Sequence, residues 1–136
     1  LFVERFDAAK GVADSDRMLE SIREGQKTVV FPEGTFGRMP GLLPFRMGAF
    51  LNAAGAGARV LPVALRGGRS MLRSGSWFPR HSELALEICD PCVTDQSGWD
   101  GAIALRDQTR KKMLLHTAEP DLKFETGEIE KLKPQT

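Results

Sequence analysis

The sequence has little of three things that define large classes of protein: cysteine, net charge and long apolar runs. Its 136 residues include two cysteines, which is too few for a disulfide framework, so a reducing compartment is the simpler expectation. The formal net charge of +1 argues against a protein that binds nucleic acid. No apolar run approaches the roughly 18 residues of a transmembrane helix, and no signal peptide is recognisable.

What is present is an ordinary globular composition, 41% hydrophobic and 27% charged, in which strand and helix patterns alternate. Strands are predicted at Leu1–Val3, 28–31, 60–65 and 83–89, the last of them half-buried. Helices are predicted at 15–24 with Asp14 or Ser15 as N-cap, at 44–54 with Pro44 in the first turn, and at 100–116 with Asp100 as N-cap. This order predicts an α/β fold with a mixed, mostly parallel sheet flanked by helices. Because the chain opens on an apolar stretch without Met, we expect a sheet that is incomplete at the N-terminus.

The rest of the chain is organised around the stretch Phe31–Thr35, Phe-Pro-Glu-Gly-Thr, which follows the apolar run at 28–31. Pro32 removes a backbone donor, so strand pairing is expected to stop there. Gly34 has no Cβ and lets another group approach the backbone closely. Open α/β sheets bind ligands at such strand ends, although the same residues are also common in purely structural turns.

The functional interpretation of this turn is a site for an anion or a polar head group. The site would combine backbone amides and the Thr35 hydroxyl with nearby arginines, because the guanidinium fork can donate two parallel hydrogen bonds to a phosphate. The candidate arginines are Arg5, Arg38 and Arg46. Glu33 does not suit a phosphate directly, so we expect it to orient an arginine or to accept a hydrogen bond from a substrate hydroxyl.

Several segments together resemble the glycerolipid acyltransferases, the family that acylates glycerol phosphate and lysophosphatidic acid. Phe31–Thr35 looks like the family's Phe-Pro-Glu-Gly-Thr motif. Four further segments resemble the motifs that accompany it, in the same order: Phe2–Arg5, Pro44–Phe50, Leu61–Leu65 and Glu87–Pro91. The resemblance covers roughly residues 1–120, so we expect the C-terminal portion of an acyltransferase domain over 1–124 and a polar tail over 125–136.

The resemblance implies transfer of a fatty acyl group from acyl-CoA or acyl carrier protein to a lysophospholipid or glycerol phosphate hydroxyl. It implies no cofactor and no metal, and it places the protein at the cytoplasmic face of a membrane, peripheral or anchored through an upstream part. The family's catalytic base comes from a His-x-x-x-x-Asp motif that would precede Leu1, so this sequence alone is expected to be inactive. The substrate-binding residues implied are Arg5, Glu33, Gly34, Thr35 and Arg38.

One departure from the family's pattern concerns Arg38, and one further role concerns Pro62. Many members have an arginine directly after the Thr, whereas here Arg38 follows two residues later. Either Arg38 reaches back to the phosphate or that contact is lost and the acceptor differs. Pro62 and its strand are implied to shape the acyl-donor side. The alternative to an enzyme is a non-enzymatic α/β module that binds a phosphate-bearing ligand or a partner protein.

His116 and Asp121 fit His-x-x-x-x-Asp by letter, but they follow every other motif instead of preceding them. Pro120 also breaks the helical turn that would let the aspartate orient the histidine. We therefore predict that this match is a coincidence.

Cys89 and Cys92 form a Cys-x-x-Cys pair. The pair follows a strand, whereas a redox pair normally begins a helix, and a zinc site would need two more ligands. We therefore predict two small, partly buried residues.

Overall fold

The described part of the chain, residues 8–34, 40–72 and 77–123 of a computed structural model, contains four helices and two strands. In chain order these are α1 (Ala8–Arg23), α2 (Gly48–Gly55), β1 (Val63–Arg66), α3 (Gly68–Met71), β2 (Ala85–Ile88) and α4 (Gly98–Thr117). The predicted strand Leu1–Val3 and the tail 125–136 lie outside the described residues.

The hydrophobic core lies between α2 and α4. Its buried members are Leu42, Phe45, Phe50, Ala53, Ala54, Cys92, Ala102 and Leu105. The rings of Phe45 and Phe50 stack with their centroids 6.1 Å apart. Small residues let the two helices approach closely, since a Cβ built on Gly101 of α4 would lie 3.3 Å from the Cβ of Ala54. This packing holds the segment 42–45 against α4.

Two helices begin earlier than predicted, so the predicted N-caps are wrong. Asp14 and Ser15 lie inside α1, where Asp14 is buried in an ion pair and the Ser15 hydroxyl donates to Asn52 Oδ1 of α2 at 3.1 Å. Ser15 therefore serves a contact between two helices, and Asp14 serves an ion pair with Arg17 within α1. In α4 the N-cap position is Ser97, and Asp100 lies in the first turn, where its charge favours the positive end of the helix dipole.

Helix α2 begins at Gly48, so the prediction that Pro44 opens it is wrong. The backbone donors just before α2 point toward the chain around Glu33 and not along a helix. Leu43 N–H donates to the Glu33 carboxylate at 2.9 Å, and Arg46 N–H donates to the Pro32 carbonyl at 2.8 Å. The predicted end of this helix near residue 54 is confirmed, since α2 ends at Gly55 and Gly57 follows at φ +61°.

The strands that the structure describes form an antiparallel pair, which corrects the predicted mostly parallel sheet. Val63 lies opposite Ile88 and Arg66 lies opposite Ala85. A parallel pair would need a crossover helix, whereas the described residues between β1 and β2 hold only the four-residue α3. A mixed α/β class remains correct.

The predicted strand at 28–31 is also wrong. No described strand pairs with this segment, and 84% of Val29 and 82% of Phe31 is exposed. Apolar and β-branched residues favour a strand, but only a backbone ladder with a neighbour makes one. Here the carbonyl of Phe31 closes a turn instead, by accepting the N–H of Gly34 at 3.1 Å.

The two-stranded sheet is buried on one face only. Ala64 is fully buried on the side that α4 covers. The opposite face carries Leu65, Leu86 and Ile88, of which the last two are each 64% exposed. Apolar residues therefore alternate along β2 as predicted. Among the described residues, however, the apolar face of β2 is the exposed face.

The close approach of α4 to the preceding chain gives a stability prediction. A methyl group at Gly101 would collide with the Gln96 carbonyl oxygen and press on Ala54. Overpacking of this kind costs about 1–3 kcal/mol, more than the helix propensity that alanine adds. Gly101→Ala should therefore lower the free energy of unfolding, measured by urea denaturation.

Gly48→Ala is the matched control, because nothing lies within 4 Å of a Cβ built on that helical glycine. Its stability should be unchanged or slightly higher. Equal stabilities of the two variants would contradict the close approach.

Candidate functional site

The sequence Phe31–Gly34 forms a reverse turn at the surface. Pro32 sets the backbone angle of the second position, and Gly34 closes the turn by donating its N–H to the Phe31 carbonyl at 3.1 Å. Gly34 has φ +68°, a left-handed conformation that other residues adopt only with strain. Thr35 lies outside the described residues, so its hydroxyl at this site stays a prediction.

Glu33 fixes the turn to the segment before α2. Its Oε2 accepts the Leu43 N–H at 2.9 Å, and the neighbouring Pro32 carbonyl accepts the Arg46 N–H at 2.8 Å. An arginine or a substrate hydroxyl is the partner of Glu33 that the sequence predicts. The observed partner is a backbone amide, so Glu33 braces the turn.

Arg46 is the candidate arginine that the structure brings to the turn. Its side chain lies so close to the backbone of Gly34 that a Cβ on Gly34 would collide with the guanidinium Nε. The close approach that Gly34 was predicted to permit is therefore made by Arg46. Arg46 is exposed, which leaves its charge accessible to a ligand. Arg5 and Arg38 lie outside the described residues, and their places in the site stay predictions.

Arg110 supports this site from α4 and was not found from the sequence. It is only 5% exposed, and it donates from Nη1 to the Leu43 carbonyl at 2.5 Å and from Nη2 to the Leu42 carbonyl at 2.7 Å. Its guanidinium pairs with Asp121 and lies over the Phe45 ring, 5.1 Å from the centroid. Arginine is seldom buried, so its residue type alone gave no signal. The one available hint was Asp121, an aspartate shortly after the end of α4.

The ion pair with Arg110 holds the pKa of Asp121 below its ordinary value, because the guanidinium hydrogen bond favours the carboxylate. His116 instead has its Nδ1 2.7 Å from Glu87 Oε1 of β2. The histidine and the aspartate therefore have different partners, as the prediction of a coincidental match requires.

Cys89 and Cys92 are both free, and they are buried more completely than the predicted partial burial. Their backbones hold the chain after β2: Cys89 N–H donates to the Pro62 carbonyl at 3.0 Å, and Cys92 exchanges two hydrogen bonds with Val60. Burial, followed by the charge of Glu87, raises the pKa of the Cys89 thiol above its ordinary value. The role of Pro62 on an acyl-donor side stays a prediction.

Neither a cluster of metal-binding side chains nor a membrane-spanning helix is present in the part of the chain that the structure describes. Within residues 8–34, 40–72 and 77–123, no three side chains of His, Cys, Asp and Glu converge into a candidate metal site. In the same ranges none of the helices combines the length and the apolarity that crossing a bilayer requires.

The raised pKa of Cys89 predicts low reactivity. A smaller thiolate fraction and a buried sulfur should make alkylation by iodoacetamide at neutral pH much slower in the native protein than in denaturant. The Cys92→Ser variant isolates Cys89 in the mass-spectrometric readout. Equal rates in the native and denatured protein would show that Cys89 is exposed and ordinary in its acidity.

Comparison with known proteins identifies what the chain is similar to. A sequence model of the family described as Acyltransferase matches residues 1–66. The 1-acyl-sn-glycerol-3-phosphate acyltransferase of Haemophilus influenzae is 32% identical over 100 residues, which cover 73% of this chain and 40% of the relative. The enzyme of that name from Neisseria gonorrhoeae is 47% identical, with 69% and 42% covered. The one from Salmonella typhimurium is 35% identical, with 89% and 49% covered.

No solved structure gives a significant match. The chain spans less than half the length of the curated relatives that it matches.

Proposed function

This chain belongs to the acyltransferase family, and on that premise we propose that the protein is an O-acyltransferase of phospholipid synthesis. It transfers a fatty acyl group from an acyl thioester to a hydroxyl of a lysophospholipid or glycerol phosphate. Acyl-CoA or acyl carrier protein is the co-substrate, and the reaction needs no further cofactor. Because the acceptor is a lipid or a lipid precursor, the protein works at a membrane surface, and the family resemblance supports the cytoplasmic face.

The observation that carries the proposal is the braced turn Phe31–Gly34 with a guanidinium against its glycine. Glu33 holds the turn to the chain before α2, and the missing Cβ of Gly34 makes room for Arg46. An exposed arginine in this position can donate two hydrogen bonds to a phosphate. The turn therefore suits the phosphate end of the acceptor.

The other members of the phosphate site are proposed from the sequence. The Gly34 N–H already donates to the Phe31 carbonyl, so the proposed phosphate site does not use this N–H. Arg46 supplies the charge, together with Arg5, Arg38 and the Thr35 hydroxyl. Glu33 acts through the position of the turn and makes no contact with the phosphate.

Acyl transfer by the full-length protein tests the proposal. With 1-acyl-glycerol 3-phosphate as acceptor, Arg46→Gln should raise the acceptor KM at least about tenfold, since a hydrogen bond to a charged group contributes roughly 1.5–3 kcal/mol and about 1.4 kcal/mol is a factor of ten. The KM of the acyl thioester should not change, because Arg46 is proposed to bind the phosphate of the acceptor and not the acyl end of the donor.

Arg59→Gln is the matched control, since Arg59 is an exposed arginine in the loop between α2 and β1. It should leave both KM values at the level of the unmodified protein. Glu33→Ala should raise the acceptor KM as Arg46→Gln does. An unchanged acceptor KM in both the Arg46 and the Glu33 variants would place the head-group site elsewhere.

A further inference from the structure

We propose that Arg110 is a positioning residue of the acyl-acceptor site, acting on the turn Phe31–Gly34 through one peptide group. The inference rests on the proposed function, because it assigns a role to Arg110 in placing that turn for the acceptor. Arg110 itself is buried on α4 and makes its contacts with the chain, so it is not a ligand-binding residue.

Arg110 and Glu33 hold opposite edges of the same peptide plane. The peptide group between Leu42 and Leu43 offers the Leu42 carbonyl to Arg110 Nη2 at 2.7 Å and the Leu43 N–H to Glu33 Oε2 at 2.9 Å. The described part of the chain has no cis peptide bond, so the carbonyl and the N–H of this group point in opposite directions. A rotation of the plane that lengthens one hydrogen bond therefore moves the other.

The guanidinium fixes more than one edge of the segment. Its Nη1 donates to the next carbonyl, that of Leu43, at 2.5 Å, and the same group pairs with Asp121. Because the fork is planar, carbonyls bound to both of its ends are held in one relative orientation. Lysine carries the charge but lacks this geometry.

Leu42 is also hydrogen-bonded to the segment that follows α4. Leu42 N–H donates to the Pro120 carbonyl at 2.8 Å, and the Leu42 carbonyl also accepts the Leu122 N–H at 3.1 Å. Leu42 is thus anchored to α4 and to the segment after it. When the Leu42–Leu43 peptide rotates, we therefore expect the turn at Glu33 to move.

If Arg110 only stabilised the fold, replacing it would lower stability without changing the acceptor KM. Removing one partner of a buried ion pair destabilises a protein because the other charge is left unpaired, so Arg110→Met should lower the free energy of unfolding. The acceptor KM does not depend on the fraction of the protein that is folded, so the KM distinguishes a change in the position of the turn from a loss of stability. In this variant the Leu42 carbonyl loses the Arg110 donor and keeps the Leu122 N–H, while the methionine keeps the packing against Phe45.

The test measures acyl transfer by the full-length protein and amide hydrogen exchange at Leu43. In Arg110→Met the acceptor KM should rise about tenfold and the thioester KM should stay constant. Exchange of the Leu43 N–H should become faster, because the Leu42–Leu43 peptide is no longer held in line with its acceptor Glu33. Arg110→Lys should be intermediate and guards against a methionine variant that does not fold.

Lys112→Met is the matched control on the same helix. Lys112 Nζ donates to the carbonyls of Asp90 and Pro91 at 2.9 and 3.0 Å, so this variant removes two cation–carbonyl bonds that do not involve the turn. Its acceptor KM and its Leu43 exchange rate should match those of the unmodified protein.

Two results would overturn the inference. One is an unchanged acceptor KM in Arg110→Met while Arg46→Gln still raises it. The other is an unchanged Leu43 exchange rate in Arg110→Met. If Arg46→Gln itself has no effect, the fault lies in the proposed function, and Leu43 exchange still decides whether Arg110 holds the peptide.

Discussion

The peptide group between Leu42 and Leu43 is the point on which the described site depends. Arg110 holds its carbonyl edge from α4, and Glu33 accepts from its N–H edge within the turn. Hydrogen bonds on both sides of one peptide polarise each other, which strengthens the pair in a partly buried setting. Through this group the packing of α2 against α4 sets the position of a surface turn that carries no large buried side chain of its own.

Local residue chemistry was sufficient to find the turn and its glycine. Proline at the second position and glycine at φ +68° specify a reverse turn whatever lies around it. The predicted ends of α1 and α2 agree with the structure to within one residue, and a glycine with positive φ follows each helix, Gly25 at +81° and Gly57 at +61°. The order of the motifs along the chain then identified the family.

Features set by distant contacts could not be predicted. The direction of β2 against β1 depends on where the chain after α3 returns, which no local pattern specifies. The apolar run at 28–31 has strand composition but no described neighbour to pair with. Burial of Arg110 depends on Asp121 and on carbonyls from residues 42 and 43, all distant from α4 in sequence or beyond its end.

A double-mutant cycle between Arg110 and Glu33 tests the central claim most directly. The quantity is the acceptor kcat/KM of Arg110→Met, Glu33→Ala and the double variant in the full-length protein. Because both side chains act on one peptide group, the double variant should lose about as much as the more affected single variant. Losses that multiply, as for independent sites, would contradict the account.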